Sequence, residues 1–142
     1  MTPAPRVFDA VAVRSGTADG ARIARADIEL SGLEQAGPSY EMRAFLNNPG
    51  AGAGTEPTQD NGYAGSIYVY GYGRPPPDLV ESEQRPRLPM TRSIIATDAV
   101  RRAAQAGSTA SLTLVPAGYE GSGDDIDLEP VEAAILVDED LA

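Results

Sequence analysis

Alternation with a period of two runs through most of this sequence, and it leaves few architectures open. In "ARIARADIEL" Ala24, Ala26, Ile28 and Leu30 fall on one face, with Arg25, Asp27 and Glu29 on the other. In "RVFDAVAV" Val7, Val11 and Val13 share a face. In "SYEMRAFLNN" Tyr40, Met42, Ala44 and Leu46 oppose Glu41 and Arg43, and Phe45 interrupts the polar side. A strand sends successive side chains to opposite faces, so these segments bury one side and wet the other, as half-buried antiparallel strands do.

Between such runs the chain is punctuated by turn formers. "SGTADG" reads as a short loop, and "AGPS" leads into the strand that starts at Tyr40. "PGAGAGTEPTQDNG" is too rich in Gly and Pro for regular structure, and "GRPPPDLVESEQRPRLP" holds five prolines in seventeen residues. These are two long loops, and long loops in a compact domain are more often functional or mobile than short ones. "PMTRSII", "TASLTLVPAG" and "PVEAAILVDED" supply further strands. "ATDAVRRAAQAG" breaks the pattern: Thr97 fits an N-cap, Asp98 suits the positive end of a helix, and Gly107 suits the C′ position. The expected fold is all-β: one domain over residues 1–142, an antiparallel β-sandwich of about seven strands with one short helix. A chain of 142 residues buries roughly two thirds of its unfolded surface, enough for one real core.

Absent residue types narrow the chemistry. The sequence has no His, no Cys, no Trp and no Lys; all eleven basic residues are Arg. Imidazole and thiolate metal sites, a Ser-His dyad, a thiol nucleophile and a lysine Schiff base are therefore ruled out. A net charge of −10 opposes binding to phosphate backbones and anionic bilayers, so neither nucleic acid nor membrane is an expected partner. "MTPAPRVFDAVAVRSG" carries no apolar run of signal-peptide length, and no 18-residue apolar stretch occurs. A cytoplasmic location is the default expectation, and a secreted one stays open.

Four of the six tyrosines, Tyr63, Tyr68, Tyr70 and Tyr72, crowd into "NGYAGSIYVYGYG". Alternation puts Ile67 and Val69 on one face and Tyr68, Tyr70 and Tyr72 on the other. This phenolic stripe either packs beneath the chain's own loops or forms a contact surface for a protein partner, because tyrosine offers large area at low entropic cost. A redox role lacks any accompanying base, ligand or cofactor motif. Gly65, Gly71 and Gly73 fit a bulge or a close approach within this strand.

Asp124, Asp125, Asp127 and Glu129 in "GSGDDIDLE" are oxygen ligands without EF-hand spacing, so the segment reads as a solvated acidic loop and no metal is expected. Arg101 and Arg102 could pair with that loop or with a partner, at about 0–1 kcal/mol for a surface pair.

The order of segments resembles the carboxy-terminal β domain of tyrosinases and polyphenol oxidases. The residues that carry the resemblance are "DIELSGLEQAGPSYEMRAFLNNPGA", "GYAGSIYVYGYG", "MTRSIIATDAVRRAAQAGSTASLTLVPAG" and "EPVEAAILV", spanning Asp27 to Val137. The family's pieces are a strand ending in an "FLN" type sequence, a "YAGS" strand, an "ITDAL" type strand into a short helix, and a "VTLVP" strand. The resemblance implies a non-catalytic domain that packs over the entrance of a helical dicopper domain and shields it. Here the helical domain is missing and no histidine is present to bind copper, so copper would belong to the partner.

The expected function is thus a non-enzymatic accessory or shielding module without cofactor. Tyr63, Tyr68, Tyr70 and Tyr72 would face the partner, and residues 49–62 or 74–89 would occlude its site. The alternative is a free-standing or self-assembling structural β-sandwich unrelated to copper, homo-oligomeric or bound to another ligand. A hydrolase using paired carboxylates is a third reading, and sequence spacing alone gives no carboxylate separation for it.

Overall fold

The computed structural model describes residues 4–13, 23–33, 38–71, 90–119 and 126–139. Seven strands, β1 (Arg6–Ala12), β2 (Ile23–Leu33), β3 (Tyr40–Leu46), β4 (Tyr63–Val69), β5 (Met90–Ile95), β6 (Thr109–Ala117) and β7 (Glu132–Glu139), form two sheets, and one helix, α1 (Thr97–Ala106), follows β5. One sheet has the order β1-β6-β3-β4 and the other β5-β2-β7, with every pairing antiparallel. The architecture is the expected all-β sandwich with one helix. Tyr72, Asp124, Asp125 and the segment 74–89 lie outside the described residues.

The core lies between the sheets. From the three-stranded sheet come Ala26, Ile28, Leu30 and Ile94, and from the four-stranded one Met42, Ala44, Ile67, Val69, Leu112 and Leu114, all buried. These are the apolar phases of the alternation in β2, β3 and β4. Two face assignments made from strict alternation fail, both at bulges. In β1 the register shifts between Phe8 and Val11, so Phe8 joins Val11 and Val13 toward the core. Val7 pairs instead with Thr113 on the outer face. In β2 a shift between Ile23 and Arg25 turns Ile23 inward and leaves Ala24 exposed. One extra residue reverses the phase of everything beyond it.

Phe45, which interrupts the polar side of β3, seeds a second small core on the outer face of the four-stranded sheet. It is fully buried with Val115 and Ala51, and the Tyr63 ring lies 5.7 Å from its own. Residues 47–62 cover this cluster. Side chains tie that segment down where its Gly and Pro backbone cannot form a ladder. Asn48 Nδ2 donates to Asn61 O at 2.9 Å, Asn61 Nδ2 to Glu56 O at 3.0 Å, and Thr113 Oγ1 to Asn48 O at 3.0 Å. Asn47, in the left-handed region at φ 58°, donates its N–H to Ser111 O at 2.9 Å, and its Oδ1 accepts from Ser111 N at 3.3 Å. Asparagine tolerates that backbone better than most residues. A 3₁₀ turn at Gln59–Asn61 then leads into β4.

Helix α1 packs its small face, Ala99, Val100, Ala103 and Ala104, against β2, β3, β4 and β6. Thr97 does not cap it. Ala96 occupies the N-cap position without a side-chain bond, and Thr97 is the first helical residue. Its Oγ1 accepts from Ala26 N at 3.2 Å, while Ala96 N donates to Ala26 O at 2.9 Å. The hydroxyl thereby serves a buried strand amide rather than the helix. Gly107 is extended, at φ 174°, not left-handed, so the expected C′ role is replaced by a direct exit into β6. Among the described residues no helix is long and apolar enough to cross a membrane.

Candidate interaction surface

β4 is an edge strand that pairs only with β3, and its inward residues Ile67 and Val69 are buried as the alternation requires. Outward, Tyr68 is 45% exposed, and Tyr70, just past the strand end, is 63% exposed. Their rings meet edge to face with centroids 4.9 Å apart. Such a contact satisfies the ring quadrupoles and contributes about 0.5–1.5 kcal/mol beyond area burial. Each phenol therefore holds its neighbour in place while both stay open to solvent.

The surroundings of this pair are polar and fixed. Glu41 lies directly across from Tyr68 in the β3–β4 register. Its carboxylate accepts from Arg43 Nε at 2.5 Å and from Ser66 Oγ at 3.4 Å. On the free edge Arg92 Nη1 donates to Tyr68 O at 3.4 Å, placing a charge where another strand would otherwise add. Ser39 Oγ accepts from Gly71 N at 3.0 Å and anchors the chain just past Tyr70. The result is an exposed aromatic pair rimmed by polar groups that are already paired.

Of the four tyrosines read as an interface, the structure brings two together. Tyr63 shares the outer face, but only because β4 bulges between Tyr63 and Gly65, and its ring is committed to Phe45. It is half-buried beside the 47–62 segment and stands apart from the Tyr68–Tyr70 pair. Tyr72 is not among the described residues.

Two exposed aliphatic side chains escaped the sequence reading. Ile95, 67% exposed, and Leu136, 51% exposed, flank Asp27 from either side on the outer face of the three-stranded sheet. The signal was present in "MTRSIIA", where Ile94 and Ile95 cannot both face inward on one strand. Asp27 accepts from Arg25 at 3.1 and 3.2 Å. That hydrogen-bonded carboxylate, together with its charge, raises the pKa of Arg25. Glu29, Glu132 and Asp138 share this acidic face with them.

Arg101 and Arg102 have separated roles. Arg101 Nε donates to Ile23 O at 2.7 Å, with Asp98 3.5 Å away, whereas Arg102 faces a cleft between α1 and the 47–62 segment. Among the described residues no three acidic, His or Cys side chains are grouped to hold a metal ion. Asp127 Oδ1 accepts from Glu129 N at 3.0 Å, a local turn bond. No protein-family model matches this chain, and no curated protein and no solved structure matches it either.

Proposed function

We propose that this chain is a non-catalytic interaction module that docks on a protein partner through Tyr68 and Tyr70. The observation that carries the reading is the edge-to-face pair, exposed on an edge strand whose opposite face is closed in the core. Two pre-positioned phenols lose little conformational freedom on binding, which is why tyrosine dominates interface hot spots. A tyrosine side chain carries about 150–250 Å², so covering the open parts of both rings removes about 200 Å² from water. At about 25 cal/mol/Å² this stabilises a complex by about 5 kcal/mol at most. The resemblance to tyrosinase carboxy-terminal domains names the first partner to test, a helical, histidine-rich dicopper oxidase chain encoded beside this one, with this module shielding its entrance.

The outer face of the three-stranded sheet is a weaker basis for self-assembly. Asp27, Glu29, Glu132 and Asp138 outnumber Arg25 there, so stacking two copies would bring like charges together.

The test is co-expression of the full chain with that oxidase chain, followed by affinity measurement and an assay of its activity. The paired substitution Tyr68→Ser and Tyr70→Ser is expected to weaken the complex at least about 30-fold, the hot-spot threshold of about 2 kcal/mol, and to relieve inhibition. Stability should fall by no more than about 1.5 kcal/mol. A complex that survives the double substitution sinks the docking assignment. A chain that forms only homo-oligomers and leaves the oxidase unaffected sinks the copper partner.

A further inference from the structure

We infer that the cleft between α1 and residues 47–62 is a binding site for a small carboxylate that also carries a hydrogen-bond donor, as α-hydroxy and α-amino acids do. The cleft has a volume of about 510 Å³, and a second of about 300 Å³ adjoins it, with Ala99 and Arg102 lining both. Sites for small ligands fall in this size range. Beside Arg102 the helix presents only methyl groups, Ala99 and Ala103, to the cleft, which leaves it open.

Arg102 is the group that sets the ligand class. Of the other five described arginines, four are held by hydrogen bonds or ion pairs. Arg25 and Arg43 bond carboxylates, Arg92 a carbonyl and Arg101 both, while Arg6 lies over the Phe8 ring at 4.7 Å with its buried Nε making no hydrogen bond. No ion pair or hydrogen bond joins half-buried Arg102 to another described residue. Asp60 and Asp98 line the two clefts with Arg102, yet neither pairs with it, so in a chain of net charge −10 its guanidinium stays open to a ligand. Its fork of donors fits one carboxylate bidentately. The facing wall contributes Gln59 and Asp60, acceptors for a hydroxyl or ammonium group, and Leu46 gives the cleft an apolar patch. Asp60 and the overall negative field disfavour polyphosphates, which narrows the class to small acids with a donor nearby.

The site is independent of the tyrosine pair, and its test is a ¹⁵N NMR titration of the full chain. The probes are glycine, L-lactate, acetate, and a tripeptide with a free or an amidated carboxyl end. Saturable shifts are expected at Gly62, Ala99, Ala103 and the Arg102 side chain, with glycine or lactate binding more tightly than acetate. Preference for the free-ended tripeptide over these acids would support the site and name a peptide terminus as the source. Arg102→Gln should weaken binding at least about tenfold, about 1.4 kcal/mol, with Arg102→Lys retaining part of it. Arg92→Gln and the Tyr68→Ser, Tyr70→Ser variant should bind as the parent does, which separates this site from the docking surface. Asp60→Asn should keep acetate binding but erase the preference for donor-bearing acids, a readout that does not require substitution of Arg102. The inference is overturned if no probe shifts the cleft at about 10 mM, if Arg102→Gln responds like the parent, or if the amidated peptide binds as well as the free one.

Discussion

At Gly65 β4 lies close against Ile94 of β5, and replacing the glycine with alanine tests that geometry directly. It pairs with Ala44 and faces the core at φ 131°, a conformation that L residues rarely adopt. A Cβ there would stand 2.6 Å from Ile94 Cγ2 and 3.7 Å from Ile95 O. Carbon atoms prefer about 3.5–4.0 Å, so Ile94 must retreat by about 1 Å within a core where it is only 3% exposed. Backbone strain contributes about 1–3 kcal/mol and overpacking about 1–3 kcal/mol, so Gly65→Ala should destabilise the fold by about 2–6 kcal/mol. For a chain of this size that lowers the melting temperature by about 6–18 °C. Urea denaturation is the assay, with an unchanged m value indicating that the effect is stability rather than altered compactness. In an Ile94→Ala background, where Cγ2 is gone, the penalty should shrink by about 1 kcal/mol or more. Gly54→Ala, where nothing lies within 4 Å, supplies the control and should fall within about 0.5 kcal/mol of the parent. A Gly65→Ala protein as stable as that control would refute the close approach of β4 to β5.

Phe45→Ala should cost about 3–5 kcal/mol, because the ring is fully buried under residues 47–62, and hydrogen exchange at Gly62 and Asn61 should accelerate well beyond the global loss. Exchange that changes uniformly across the chain would mean that this segment is not held by the Phe45 cluster. Thr97→Val should cost about 1–3 kcal/mol by stranding the Ala26 amide, whereas Thr97→Ser, which keeps the acceptor, should cost under about 1 kcal/mol, both measured by denaturation. Equal effects of the two would return Thr97 to a packing role.

Fold class was legible because period-two alternation is a direct projection of the pleat, and β2, β3 and β4 kept it over most of their lengths. The errors fall where one extra residue breaks that projection. Nothing in "FDAV" or "IARA" marks a bulge, because bulges are set by how partner strands must bend, a long-range demand. Val7 and Ala24 were misassigned for that reason. Thr97 was read as a cap because a hydroxyl before a helix usually serves the nearest N–H. Here the nearest unsatisfied amide belonged to Ala26, 71 positions away in sequence. The outward pair Tyr68 and Tyr70 was predictable from alternation alone, but the separation of Tyr63 was not, since it depends on the β4 bulge and on Phe45 across the sheet. Arg102 looked like Arg101 in sequence. Only the packing of α1 against the 47–62 segment shows that one arginine is spent on Ile23 and Asp98 while its neighbour faces a cleft.

β4 connects these observations physically. Its first residue helps to close the Phe45 cluster, its bulge and Gly65 admit Ile94 from the other sheet, and the exposed phenols sit at its far end, Tyr68 within the strand and Tyr70 just past it. A strand anchored at one end by an aromatic core and along its length by a close inter-sheet contact is a stiff mount. Stiffness matters for the proposed docking, since an interface residue already fixed before binding keeps more of its burial energy. Tyr68 and Tyr70 should therefore lose affinity for the partner when Gly65 is replaced, even in the fraction that remains folded. Tyr68 and Tyr70 sit three and five residues along the chain from Gly65, or about 10 and 17 Å. A shift of about 1 Å at Gly65, passed along the strand, would misplace both rings by enough to forfeit a close-packed contact.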